Sequence, residues 1–196
     1  MAATPSQMLP LGTPLPLFTL PDVVTEKPFS STALLGSPAV VAFICNHCPY
    51  VKHIQRELAV FGRDCAERGV RMVAVSSNDV RAYPQDGPGP MAAEARAHGY
   101  VFPYLFDENQ DVAKQFRAAC TPDFYLFDGA GTLVYRGQFD DSRPGNGKPV
   151  TGQDLRDAVS ATLAGQRPAA EQRPSIGCNI KWRPGAEPPY YGLLPR

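Results

Sequence analysis

The sequence predicts an α/β domain with a mixed central sheet flanked by helices. Three observations carry that prediction. Residues 39–44 are continuously apolar, and an amphipathic helical pattern follows them directly. Strand-like and helix-like segments then alternate down the chain. Near the end, two strands close on each other across a Gly-rich turn and supply an antiparallel edge.

Residues 1–16, rich in Thr, Pro and Ser, read as loosely held. Leu17–Leu20 reads as a short edge strand ended by Pro21-Asp22. Ala39–Ile44 reads as a central strand covered on both faces. From Pro49, Val51, Ile54, Leu58 and Phe61 recur at three- and four-residue steps, with Lys52, Gln55, Arg56 and Glu57 opposite them. Pro49 suits the first helical position and Gly69 the stop. Val70–Val75 is a second strand, and Ser76–Asp79 the turn after it. Residues 83–90 hold too much Pro and Gly for regular structure. Met91–His98 is a helix stopped by Gly99, and Phe102–Asp107 a short strand. Asn109 is a candidate cap for a helix through Val112 and Phe116 to Ala118. Phe124–Phe127 and Thr132–Arg136 pair across Asp128–Gly131. Thr151 caps a last helix with Leu155, Val159 and Leu163, ending at Ala164. The expected organisation is a loose segment over 1–16, a domain over 17–164 and an arm over 165–196. Six prolines and four glycines interrupt the arm, yet Ile176, Cys178, Ile180, Trp182, Tyr190 and Tyr191 predict that it packs on the domain or on a partner subunit.

A length of 196 residues fits one domain with an extension, and 43% apolar residues suffice for a core. Nineteen basic residues balance nineteen acidic ones, so no general field attracts a nucleic-acid backbone or an anionic membrane. The first residues lack the charged and apolar regions of a secretory signal, and the longest apolar run, 38–45, cannot span a bilayer. A cytoplasmic location is expected. The five cysteines, at 45, 48, 65, 120 and 178, are then core residues, metal ligands or redox groups rather than a disulfide framework.

Cys48 carries the functional reading. It ends the connection from a buried strand and enters a helix, where unpaired N–H groups and the dipole favour thiolate over thiol. His47 beside it and Lys52 one turn on are candidates to add positive charge. Cys45, three residues earlier, is the near candidate to resolve an intermediate on Cys48. Cys120, in Cys120-Thr121-Pro122, and Cys178 are further candidates, and Pro122 is a candidate cis residue. Zinc is the competing use of Cys45 and Cys48, completed by Cys120, Cys178 or His47. Cys65 reads as packing, the Asp140–Gly147 loop as a solvated turn, and His53 as outside the chemistry.

The chain resembles the thioredoxin superfamily, and within it the AhpC/TSA-like, or peroxiredoxin-like, redoxins. The segments that carry the resemblance are Phe43-Ile-Cys-Asn-His-Cys-Pro-Tyr-Val-Lys-His53, Phe102–Asp107, Ala119-Cys-Thr-Pro-Asp-Phe-Tyr-Leu-Phe-Asp128, Tyr135–Gly145 and Ser175-Ile-Gly-Cys-Asn-Ile-Lys-Trp182. The resemblance implies a thioredoxin-like fold, Cys48 as the reactive cysteine and Pro122 as the cis-proline of the substrate-binding surface. Departures accompany it. Cys45 stands where peroxiredoxins have a threonine, Val41 where they have a proline, and Val51 where thioredoxins have their resolving cysteine. The peroxiredoxin arginine, expected near Pro122, is absent, and Arg136, Arg143 and Lys52 are candidates to replace it. Losing threonine and arginine removes charge stabilisation on the departing oxygen and predicts slow reaction with peroxide.

The leading expectation is a thiol oxidoreductase with Cys48 as nucleophile, acting on a disulfide or, weakly, on a peroxide. It needs an external thiol reductant, thioredoxin-like or small, and no flavin or nicotinamide cofactor. A homo-oligomer is compatible with it. The alternatives are a non-catalytic peptide- or protein-binding module and a metal-binding protein that uses Cys45, Cys48 and a distant cysteine.

Overall fold

The structure, a computed structural model, describes residues 3–193. In chain order the strands are β1 (Ala3–Pro5), β2 (Thr19–Pro21), β3 (Pro28–Ser30), β4 (Ala39–Phe43), β5 (Arg71–Ser76), β6 (Tyr104–Phe106), β7 (Cys120–Thr121), β8 (Asp123–Phe127), β9 (Leu133–Gly137) and β10 (Ile176–Asn179). The helices are α1 (Pro49–Glu67), α2 (Pro88–His98), α3 (Asp111–Gln115) and α4 (Gln153–Leu163). Five strands form the central sheet in the order β6-β5-β4-β8-β9, with β4, β5 and β6 parallel and β8 and β9 antiparallel. This is the expected mixed sheet. A small sheet, β1-β10-β7, and the ribbon β2-β3 lie outside it.

The sheet buries both faces, and β4 shows how. Val40, Ala42 and Ile44 pack against α1, α2 and α4, while Ala39, Val41 and Phe43 pack on the other side with Phe116, Tyr125 and Phe127. The strand alternation thus serves two cores at once. The second core is finished by non-helical chain: Leu9, Leu15 and Phe18 from the start, and Ile180, Trp182 and Tyr190 from the arm. A fully buried side chain such as Ile180 contributes about 1.5–3 kcal/mol.

Several local expectations change. Residues 3–16 are not loose, because β1 pairs with β10, Leu9 and Leu15 are buried, and Pro14 bridges to Thr132. Their partners are distant in sequence, so composition misjudged them. The stretch 83–90 holds a 3-10 turn at Pro84–Asp86 and the first turn of α2. Its prolines fall where a missing N–H costs nothing. Asn109 is not the cap of α3. Gln110 takes that position with φ 64°, and the Asp107 carboxylate accepts from the N–H groups of Val112 (3.3 Å) and Ala113 (2.9 Å). Gly152, with φ 66°, caps α4 in place of Thr151, whose hydroxyl accepts from Gln153 N–H. Among the described residues, no helix is long and apolar enough to cross a membrane.

The arm runs along β7 and then past the end of β5. Its backbone is tied there by Lys181 N–H to Asn78 Oδ1, by Ile180 N–H to Ala119 O, and by Asp79 N–H to Lys181 O. The Gln110 amide spans the arm, donating to Lys181 O and accepting from Arg183 N–H. This placement brings the arm over the start of α1.

Candidate functional site

Cys48 is the residue before α1, with φ −68° and ψ 123°, and Pro49 is the first helical residue. Its side chain makes no cap bond to the helix. It turns instead to Thr121, whose carbonyl oxygen lies 3.1 Å from Sγ. Thr121 ends β7 and joins β8 through a cis Thr121–Pro122 peptide, the isomer expected for Pro122. Across β7 the arm strand β10 sets Cys178 opposite Thr121. Both the thiol and the backbone N–H of Cys178 hydrogen-bond to the Cys48 sulfur. Gly177 makes this approach possible, since a Cβ there would sit 1.9 Å from Thr121 O. Cys45, just past β4, completes the group. Its thiol bonds to Cys48, and its Sγ lies 3.4 Å from Thr121 Oγ1. Three sulfurs therefore gather around one threonine. They are enclosed, with Cys45 1%, Cys48 0% and Cys178 1% exposed.

Cys48 is the sulfur that gives up its proton most readily, while Cys178 and Cys45 keep theirs and donate to it. The hydrogen bond from the Cys178 thiol, then that from Cys45, outweighs burial and holds Cys48 well below its usual range. The Thr121 carbonyl tempers this, because it accepts the proton of a neutral thiol but faces an ionised sulfur unfavourably. The partners pay the complementary shift. Cys178 is pushed up by its bond to Cys48, then by burial and by the Cys48 charge. Cys45 is pushed up by its bond to Cys48, by burial and by the charge of Asp86. The sequence assigned the activation of Cys48 to the helix start, whereas the main donors are the two other thiols.

A buried carboxylate organises the other side of Cys45. Asp86 Oδ1 accepts from the N–H groups of Asn46 (2.9 Å) and His47 (3.2 Å). Its Oδ2 meets His47 Nδ1 at 2.5 Å and Asn78 Nδ2 at 2.8 Å. Burial alone would push Asp86 up, but the bonds from His47 and Asn78 prevail and hold it below the ordinary carboxylate range. The His47 ring stacks on Tyr83, with centroids 5.1 Å apart. Nδ1 also lies 3.9 Å from Cys45 Sγ. His47 thus faces Asp86 and Cys45, not Cys48.

Other candidates are placed elsewhere. Arg136 donates to Leu9 O and to Gln172, tying the first segment and the arm to β9, so it does not support the thiolate. Arg143 bonds to Gln138 and to carbonyls of its own loop. Lys52 is exposed on α1. The Cys120 sulfur points to Pro122 O and Ser175 O, and burial pushes its pKa up. Cys65 packs in the core, where burial raises it to about 12. His53 meets Ser142 at 3.2 Å, away from the sulfurs. Sequence reasoning missed Thr121, Asn78 and Asp86 as site residues. Asp86 lay in a Pro- and Gly-rich stretch that gave no periodic signal, and only the apolar residues of the arm hinted that it returns to the sheet.

The AhpC/TSA family matches residues 11–136. No curated protein matches the chain. Among solved structures, the chain is 49% identical to an uncharacterized conserved protein from Geobacillus kaustophilus, with a TM-score of 0.93, 94% of this chain and 98% of that one covered. It is 50% identical to a hypothetical protein from Sinorhizobium meliloti, with a TM-score of 0.90 and coverage of 93% and 100%. A thiol:disulfide interchange protein of the thioredoxin family from Chlorobium tepidum is 19% identical, with a TM-score of 0.60 and coverage of 79% and 99%, a likeness of fold. The family supports a thiol-dependent redox role in general. With its parallel strands, cis-proline and cysteine at the helix start in place, the chain belongs to the AhpC/TSA family and has a thioredoxin-like fold.

Proposed function

We propose that the protein is a thiol oxidoreductase in which Cys48 is the nucleophile and Cys178, on the arm, the resolving thiol. The observation that carries this reading is the double hydrogen bond from Cys178 to the Cys48 sulfur. The Cys48 thiolate attacks one sulfur of a disulfide RS–SR′, forming Cys48–S–SR and releasing R′S⁻. Cys178 then gives up its proton, attacks the Cys48 sulfur and expels RS⁻, leaving a Cys48–Cys178 disulfide. With a peroxide ROOH, Cys48 becomes a sulfenic acid and ROH leaves. Cys178 then condenses with the sulfenic acid and water leaves. Two electrons from an external thiol reductant return either product to the dithiol. The cytoplasm supplies such a reductant.

The electrostatics give the steps an order. The largest influence raising Cys178 is its bond to Cys48, and the Cys48 charge adds to it. Once Cys48 is bound in a neutral mixed disulfide, those influences vanish and only burial still opposes ionisation of Cys178. The resolving thiol is released by the first step. Cys45, fixed at the end of β4, is the weaker resolver. The enclosure of Cys48 favours small oxidants over folded proteins, and the engagement of Arg136 and Arg143 elsewhere favours a slow peroxidase.

The test is mass mapping after one equivalent of a small disulfide such as oxidised glutathione. Wild type should form Cys48–Cys178, Cys178→Ser should accumulate the mixed disulfide on Cys48, and Cys48→Ser should do neither. A mixed disulfide that persists in Cys45→Ser but clears in Cys178→Ser would reverse the assignment.

A further inference from the structure

The cluster on the far side of Cys45 has the composition of a cation site. Cys45 Sγ, His47 Nδ1 and an Asp86 carboxylate oxygen all lie within 4.8 Å of one another. We propose that these three residues bind a borderline divalent cation of the zinc class.

The donor set is one thiolate sulfur, one imidazole nitrogen and one carboxylate oxygen, the three ligand types such ions take. Once Cys45 gives up its proton to the ion, a thiolate and a carboxylate beside a neutral imidazole sum to two negative charges, which a divalent ion cancels where Asp86 is 0% and Cys45 1% exposed. The protons balance, since binding expels the Cys45 proton while the imidazole stays neutral by carrying its one proton on Nε2. Distances demand little movement. Sulfur and nitrogen on one tetrahedral zinc lie about 3.5 Å apart, against 3.9 Å here. The Nδ1–Oδ2 pair must open from 2.5 Å to about 3.4 Å, which a small tilt of the His47 ring supplies.

The outer contacts already fix the ligands. Two backbone N–H groups hold Asp86 Oδ1, Asn78 holds Oδ2, and Tyr83 backs the imidazole. Asn78 is in turn held by the arm through Lys181 N–H. Cys45 thereby has its own task, distinct from the resolving role given to Cys178. The site does not depend on Cys48 being reactive, and its test involves no turnover.

The test is anaerobic titration of the reduced full chain with Co²⁺, followed by displacement with Zn²⁺. The expected result is one equivalent bound, with a near-ultraviolet sulfur-to-cobalt charge-transfer band. Cys45→Ser should lose the band, Asp86→Asn should weaken binding by at least about 10-fold, and Asn78→Ala by about 10- to 100-fold. Cys178→Ser should keep the band. Thermal melts show which variants are folded, and if Cys45→Ser is not, Asp86→Asn and Cys178→Ser still decide. No band in the wild type, or a band unchanged in Asp86→Asn and lost in Cys178→Ser, overturns the proposal. The second outcome would put the metal on the Cys48–Cys178 pair.

Discussion

Two loops of this protein look alike in sequence and do different work. The stretch 79–90 and the stretch 138–152 are both rich in Asp, Pro and Gly, and the most deeply buried aspartate of each is Asp86 at 0% and Asp140 at 3% exposure. In each, hydrogen bonds overcome burial and hold the carboxylate below its ordinary range. The partners differ. Asp140 accepts from Ser142 N–H and Oγ at 2.9 and 2.5 Å, and from Thr151 and Gly152 N–H at 2.7 and 2.6 Å, all within its own loop and the entry to α4. Asp86 reaches out of its loop to Asn46, His47 and Asn78. One carboxylate closes a loop, and the other positions the residues around a thiol. The lesson is that a buried aspartate is read by whom it bonds, not by how deeply it lies.

The sharpest way to break this comparison is Asp140→Asn. The amide sets an NH₂ against N–H donors, and the expected loss is about 3 kcal/mol of stability, read from denaturant unfolding. Alkylation of the thiols as a function of pH should not move. Its pH dependence follows from the sign of the shift. A depressed carboxylate adds stability above its unfolded value of about 3.9 and loses it as pH falls through the lower folded value. Acid unfolding of the wild type below about pH 4 should therefore flatten in this variant.

Asp86→Asn should cost less, about 1–2 kcal/mol, because Asn78 and His47 retain partial partners. Its distinctive effect is on Cys45. Asp86 contributes, after the bond to Cys48 and burial, to pushing Cys45 up. Without that charge, alkylation of Cys45 should extend to lower pH. An equal shift in Asp140→Asn would erase the distinction between the loops. The smallest effect is expected for Ser142→Ala, which removes one hydroxyl bond to Asp140 and the contact to His53. About 1 kcal/mol should be lost in unfolding, with thiol reactivity unchanged.

The same contrast explains what could be read in advance. The strand 39–44, the helix from Pro49 and the hairpin at 124–136 announce themselves by local periodicity, and the structure places them as expected. Cys48 was legible because its cue, a cysteine between a buried strand and a proline-started helix, is contained in a few consecutive residues. Asp86 was not, since its 3-10 turn has no periodicity and two of its partners, Asn46 and His47, lie about 40 residues away. Cys178 was legible only as a candidate, because the pairing of β10 with β7 joins residues far apart in sequence. Arg136 misled for the same reason: its charge was visible, but its partners, Leu9 and Gln172, were not.

The sequence by itself determined the order of the five central strands and four helices, the two-faced central strand and the cysteine at the start of α1, since each follows from short-range pattern and backbone preference. Only the tertiary structure decided that two thiols donate to Cys48, that Asp86 stands behind His47 and Cys45, and that the arm closes over them. Those facts rest on hydrogen bonds and close approaches between segments remote along the chain, such as Gly177 against Thr121. Such contacts depend on where the whole fold carries a residue, and no local window contains that information.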